Sequence, residues 1–194
     1  MPAVSPDTRR TLTVRRAVPE DLRAMARVHV ATWKTTYRGM VPDDRLDQLT
    51  VESDLAGGFG RWLKDPPTGV AQFVALVGSE GIIGYAMGCP TREPEPGFTG
   101  ELGAIYVLRD HQGKGVGTAL VAEVARHLLG TGHANMIVWV LERNPYRRFY
   151  EHLGGVEGRR RTEHPSRIAG VPLAEVSYLW PDLRRLAAAL SDGP

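Results

Sequence analysis

The sequence is short of several things, and each shortage removes a class of protein. It holds one cysteine, Cys89, among 194 residues. No internal disulfide framework can form, in keeping with a reducing compartment. No apolar run approaches the roughly 20 residues that span a bilayer, so no membrane partner is expected. Met1 to Arg10 lacks the apolar stretch of a signal peptide, and the expected location is cytoplasmic. The six histidines are scattered, with no pair at the close spacing of a metal site, so no metal is expected. Charge is nearly balanced, with a net +2, which gives no support to a nucleic-acid partner. The local clusters Arg9-Arg10, Arg15-Arg16, Arg147-Arg148 and Arg159-Arg160-Arg161 read as solvated surface.

What is present is an ordinary globular composition, 42% hydrophobic and 24% charged, long enough for one domain with a real core. Residues 1–10 read as a loose polar tail. Leu12 to Ala17 alternates apolar and polar, as a half-buried strand does. Pro19-Glu20-Asp21 opens a helix with proline early and acids in the first turn. Leu22, Met25, Ala26, Trp33 and Tyr37 then keep helical spacing until Gly39. A second helical stretch runs from Val41 toward Phe59, and 65–69 is a loop. Strands over 71–77 and 81–88 are joined by a hairpin through Gly78-Ser79-Glu80-Gly81. Residues 89–100, with three prolines and two glycines, are expected to be loop.

Glu101 to Leu108 is a strand and Gly115 to Leu129 a strongly periodic helix. Met136 to Leu141 is a continuous apolar run, as for a strand buried on both faces. A short helix follows over 145–153, then strands over 155–161 and 173–178. Residues 182–194 form an amphipathic tail, leaving 11–181 as the domain proper. Strand, helix and strand over 101–141 force a parallel crossover, while the flanking hairpins make the sheet mixed.

The run Gln112-Gly113-Lys114-Gly115-Val116-Gly117 lies between that strand and that helix. Alternate glycines leave backbone N–H groups uncovered, and the unpaired N–H groups and dipole of the helix point at the same spot. Arg109 and Lys114 add positive charge, so this is a seat for a phosphate. A P-loop is excluded, because Lys114 is followed by glycine rather than Ser or Thr. A dinucleotide fingerprint needs Gly-x-Gly-x-x-Gly directly after the strand. Here the pattern is Gly-x-Gly-x-Gly and set back from Val107, although Glu142 sits about where a ribose-binding acid would be.

Glu101 to Val107, followed by Gln112-x-x-Gly115-x-Gly117-Thr118-Ala119-Leu120, resembles the acetyl-CoA motif of the GNAT superfamily of N-acetyltransferases. Asn144-Pro145-Tyr146-Arg147-Arg148-Phe149-Tyr150 resembles the family's Asn-x-x-Ala-x-x-Phe-Tyr segment, with Arg147 where a small residue is usual. The order of elements agrees over about residues 11–180. The resemblance implies an α/β fold of the acyl-CoA N-acyltransferase kind: a central mixed, mostly antiparallel sheet with a parallel strand–helix–strand crossover and a splayed strand pair. It implies acetyl-CoA as cosubstrate. Backbone around Ile105, Tyr106 and Val107 would hold pantetheine, Gln112 to Thr118 (with Gly113, Lys114, Gly115, Val116 and Gly117) the pyrophosphate, and Asn144 the cofactor arm.

Acetyl transfer to an amine needs a base for the ammonium proton, a donor for the carbonyl oxygen and an acid for the thiolate. By position in the resembling family, Tyr150 is the candidate acid. Glu101 is the candidate base, directly or through water, with Glu142 as a second candidate. Trp33 and Tyr37 border the expected acceptor site, and a loop over 162–172 carrying Glu163, His164 and Arg167 would lie on the same side. Cys89 reads as a small buried hydrophobe. The expected activity is direct acetyl transfer to a primary amine of a small molecule or peptide. The alternatives are an acyl-CoA-binding sensor and a nucleotide-binding oxidoreductase; retention of Tyr150 and Asn144 favours the enzyme. The apolar side Leu183, Leu186 and Leu190 is open between a homodimer interface and docking on its own domain.

Overall fold

A computed structural model describes residues 11–165 and 172–191. One seven-stranded sheet organises the chain, in the order β1-β2-β3-β4-β5-β7-β6. The strands are β1 (Leu12–Arg16), β2 (Ala71–Val77), β3 (Ile82–Glu95), β4 (Phe98–Val107), β5 (Met136–Leu141), β6 (Val156–Pro165) and β7 (Pro172–Trp180). Every neighbouring pair is antiparallel except β4 and β5. The helices are α1 (Leu22–Thr36), α2 (Asp43–Gln48), α3 (Val51–Ala56), α4 (Arg61–Lys64), α5 (Val116–Gly130), α6 (Arg147–His152) and α7 (Leu183–Ser191).

The two-residue period of the strands sorts the core onto two faces. Along β2, Ala71, Phe73, Ala75 and Val77 join the cluster that contains Leu120, Val124 and Leu128 of α5. Val74 and Leu76 point the other way, onto Met25 and Val28 of α1. Thus α1 covers one face of the sheet and α5 the other. Helix α7 docks on α5: Leu183 is fully buried and Leu186 nearly so, within the same core cluster. Asp182 caps this helix by accepting from the Arg184 and Arg185 N–H groups. Burying two leucines contributes about 1.5–3 kcal/mol each, so the apolar side of this helix is spent on its own domain.

Three expectations change. Residues 89–100 are not a loop: β3 runs on to Glu95, Pro96-Gly97 makes the turn, and β4 begins at Phe98. The prolines are tolerated because β2 stops pairing at Gly88, so the outer edge of β3 is free beyond it, and the register shifts between Pro90 and Glu95. The stretch from Val41 to Phe59 is two short helices with α4 following, because Thr50 and Ser53 form a reciprocal cap that starts α3 anew. The last two strands are longer than expected, so the connection expected at 162–172 narrows to residues 166–171, which lie outside the described residues, as do Arg167 and the tail 1–10.

Candidate active site

The parallel pair β4 and β5 touches only at its start. Gly100 pairs with Met136 and Glu101 with Ile137, and the ladder stops there, although β4 continues to Val107 and β5 to Leu141. From Leu102 onward the strands diverge, and the backbone of β4 faces a cleft of about 730 Å³ lined by Ile105, Tyr106 and Val107. One backbone group is already taken: Gln112 Nε2 donates to the Val107 carbonyl at 2.9 Å. This bond ties the glycine turn to the end of the strand.

Gln112, Gly113, Gly115, Gly117 and Thr118 line the same cleft. Gly115 sits at φ +80, the N-cap of α5, and no side chain caps that helix. Its first N–H groups are therefore available to an anion. A Cβ on Gly117 would lie 3.0 Å from the Phe149 ring, so glycine lets the helix start this close to α6 without displacing that ring. Lys114 is exposed and Val116 turns its side chain into the core. Neither side chain lines the cleft.

Helix α6 brings Tyr150 to the opposite wall. Its ring is stacked on Tyr178 with centroids 5.6 Å apart and packs edge-on against Phe149. Burial pushes its hydroxyl well above the ordinary tyrosine range, with Tyr106 and Tyr178 adding to the effect. The hydroxyl stays protonated at neutral pH, as a proton donor must. Asn144 accepts the Tyr146 N–H through Oδ1, which leaves its NH2 group as a donor on a residue that lines the cleft. Arg147, the departure from the family pattern, points away: its guanidinium donates to Tyr178 Oη, the Glu142 carbonyl and Glu157.

The acidic candidates stand elsewhere. Glu101 is 2% exposed and does not border the cleft. Its carboxylate accepts from the Arg92 backbone N–H at 2.8 Å and from the Arg92 guanidinium at 3.0 Å. Arg92, not Glu101, lines the cavity. Glu142 pairs with Arg160 at 3.1 Å, outside the cleft. Trp33 and Tyr37 do line it, packed edge-to-face with centroids 4.7 Å apart, and Trp33 Nε1 donates to Tyr106 Oη.

Several lining residues carry no motif. Trp139 on β5 keeps a buried Nε1 with no partner, under the Arg161 guanidinium at 4.0 Å. Arg161 in turn pairs with Glu175. Thr32 and Thr36 are buried polar residues on the apolar face of α1. A polar side chain on a helix's core face is a signal in the sequence; the pairing of Arg92 with Glu101 across strands is not. Among the described residues no group of His, Cys, Asp and Glu could hold a metal ion, and no helix is long and apolar enough to cross a membrane.

Residues 30–155 match the acetyltransferase (GNAT) family. The uncharacterised N-acetyltransferase YuaI of Bacillus subtilis (strain 168) is 39% identical over 180 residues, covering 93% of this chain and 99% of that protein. The fold is shared with a GCN5-related N-acetyltransferase from Rhodopseudomonas palustris, with TM-score 0.66 at 20% identity, covering 87% of this chain and 94% of that one. It is also shared with a GNAT superfamily phosphinothricin acetyltransferase from Sinorhizobium meliloti in complex with acetyl-CoA, with TM-score 0.64 at 23% identity and 89% of each chain. The chain belongs to the GNAT family and is an N-acetyltransferase by class.

Proposed function

We propose that the chain transfers the acetyl group of acetyl-CoA directly to a primary amine in a ternary complex. The observation that carries this reading is the β4–β5 cleft, which joins three features in one cavity: an unpaired strand edge over 102–107, an uncapped helix start at Gly115, and the Tyr150 hydroxyl. A nucleotide alone would need only the helix start. A long thioester-bearing arm also needs the strand edge and a proton donor.

In this reading the N–H groups of Gly113 to Thr118 receive the pyrophosphate oxygens, with Gln112 holding the turn against β4. The free edge at Ile105 and Tyr106 hydrogen-bonds the pantetheine arm and supplies a fixed N–H for the thioester oxygen as charge develops on it. Asn144 donates its NH2 group to the arm. The neutral amine nitrogen attacks the thioester carbon, the C–S bond breaks, Tyr150 gives its proton to the departing sulfur, and the proton that the nitrogen sheds on forming the amide restores Tyr150. Trp33 and Tyr37 form the wall on the acceptor's side. Glu101 acts at a distance, by fixing Arg92 on the cleft.

Thiol release from acetyl-CoA, measured across a panel of amines, tests the proposal. Amine-dependent release supports it. Saturable acetyl-CoA binding without release would make the chain a sensor instead. A ligand at 100 times its dissociation constant adds about 2.7 kcal/mol of stability, so a thermal-shift panel separates donors first. Stabilisation by NAD and not by CoA would contradict the reading.

A further inference from the structure

A second cleft, of about 620 Å³, opens on the α1 face of the sheet beside the first. Gly103, Ala104 and Tyr106 of β4 wall both, and Arg61 and Arg92 border both. Three polar side chains in its lining are more than nine-tenths buried: His29, Gln72 and Tyr85. The Gln72 carboxamide and the Tyr85 hydroxyl bond no described residue, and His29 uses only Nδ1, against Asp54 at 2.8 Å. None of these tips is sealed in the core. The enclosed side-chain atoms without a partner, among the described residues, are those of Thr32, Thr36 and Trp139. The carboxamide, the hydroxyl and His29 Nε2 therefore keep access, through the cleft that they line. A buried amide without a partner destabilises a fold, so an open one on a cavity wall marks a place where a ligand completes its bonds.

Positive charge is in excess around this cleft. Arg45 and Arg61 line it, are exposed, and form no ion pair with a described residue. Arg92 gives Nε and Nη2 to Glu101 and keeps Nη1. The one carboxylate among the lining residues is Asp54, and His29 takes it. Strand register supplies the scale. Gln72 pairs with Met87, and Met87 with Ala104, in a row across β2, β3 and β4. Neighbouring strands lie about 4.8 Å apart, so Gln72 stands roughly 10 Å from Ala104. Ala104 precedes Ile105 and Tyr106, against which the thioester is proposed to rest.

We infer that the second cleft holds the body of the acceptor, and that this body ends in a carboxylate. The inference rests on the acetyl-transfer reading given above. The amine lies at the shared wall beside Ile105 and Tyr106, and the body crosses β4 and β3 toward Gln72. The Gln72 NH2 group and the Tyr85 hydroxyl donate to the carboxylate, and Arg45 and Arg61 balance its charge. An ion taken out of water needs hydrogen bonds and a counter-charge together. Phe59, Trp62 and Tyr106 offer rings against which a flat body packs. The span of about 10 Å between Gln72 and Ala104, shortened by the Gln72 side chain itself, admits one ring between the two ends. The acceptor class is therefore a compact amino acid with its amine and its carboxylate at opposite ends of the molecule.

The test compares 4-(aminomethyl)benzoate with its neutral amide, 4-(aminomethyl)benzamide, and with benzylamine, each in the presence of acetyl-CoA. The benzoate should show kcat/KM about tenfold or more above both others, an advantage that shrinks as salt is added. Gln72→Leu should cut the benzoate-to-benzylamine ratio about 3–10-fold, through KM, with acetyl-CoA affinity held and melting temperature held or raised. Arg61→Gln should cut the benzoate-to-benzamide ratio about 2–5-fold. Calorimetric titration of 4-methylbenzoate, which has the anion and no amine, reads the cleft without turnover. The native protein should bind it, and Gln72→Leu should bind it about 3–10-fold more weakly. Equal kcat/KM for the three amines would overturn the inference, as would ratios unmoved by both substitutions or a Gln72→Leu variant that only melts lower. A native protein that binds acetyl-CoA yet leaves the benzoate unacetylated, or takes up no 4-methylbenzoate, also overturns it. Failure to bind acetyl-CoA sinks the underlying reading instead, and the 4-methylbenzoate titration then judges the cleft by itself.

Discussion

The two sides of the cleft are made of different material. The donor side is backbone: an unpaired strand edge, an uncapped helix start and glycines that keep both uncovered. The wall proposed for the acceptor is side chain: rings projecting from α1, and Arg92 reaching across from β3. Backbone recognition tolerates many sequences provided the glycines stay in register, so it leaves a spacing that can be read. Side-chain recognition changes with every residue and leaves none. The difference teaches why the family of this chain is plain and its acceptor has to be argued from geometry.

The comparison breaks most visibly at Tyr150, the one side chain on the donor side that is asked to do chemistry. Tyr150→Phe should lower turnover about 10–10³-fold with acetyl-CoA affinity nearly unchanged. An unaltered kcat would remove this residue from the mechanism. Burial raises its pKa, so the protonated donor persists upward in pH. The activity profile should therefore show no loss from this group below about pH 10, the ordinary tyrosine value. An alkaline limb that begins near neutrality and vanishes in the Phe variant would contradict that direction.

Arg92→Ala probes the side-chain half. It strips the buried Glu101 carboxylate of its cation, which costs about 3 kcal/mol, or roughly 6–12 °C of Tm in a chain of this length. A shift under a degree would mean that the pair is not holding the wall together. Gly115→Val sharpens the backbone half. A β-branched residue at φ +80 costs about 1–2 kcal/mol, and with the helix start displaced, acetyl-CoA binding should weaken about tenfold. The smallest effect belongs to Cys89, whose thiol is buried and pushed up to about 12 by desolvation and the nearby Glu101. Native protein should stay unreactive toward an aromatic disulfide reagent at neutral pH and react fully once unfolded.

The same division explains what the sequence disclosed. The crossover over 101–141 and the glycine turn follow local rules of spacing, and both lie where those rules put them; the Asn144-to-Tyr150 block was legible only through its resemblance to the family segment, and Asn144 and Tyr150 both line the cleft. The β3–β4 hairpin was hidden because Pro90, Pro94 and Pro96 read as loop; their tolerance depends on where β2 stops pairing, which is a tertiary fact. Glu101 looked like a free acid at a strand start. Its capture by Arg92 depends on cross-strand register, which no local pattern fixes. Thr32 and Thr36 were within reach, since polar residues on the apolar face of α1 are visible in the helical period, but their lack of partners appears only in three dimensions.

The central claim is that the divergence of β4 and β5, closed by the Gly115 helix start, is the seat of acetyl-CoA. Calorimetric titration of acetyl-CoA into the native protein and into Gly115→Val, with NAD in parallel, tests it most directly. The account predicts saturable one-to-one binding of acetyl-CoA, weakened about tenfold in the variant, and no heat from NAD. Binding of NAD in place of acetyl-CoA, or equal acetyl-CoA affinity in both proteins, would contradict it.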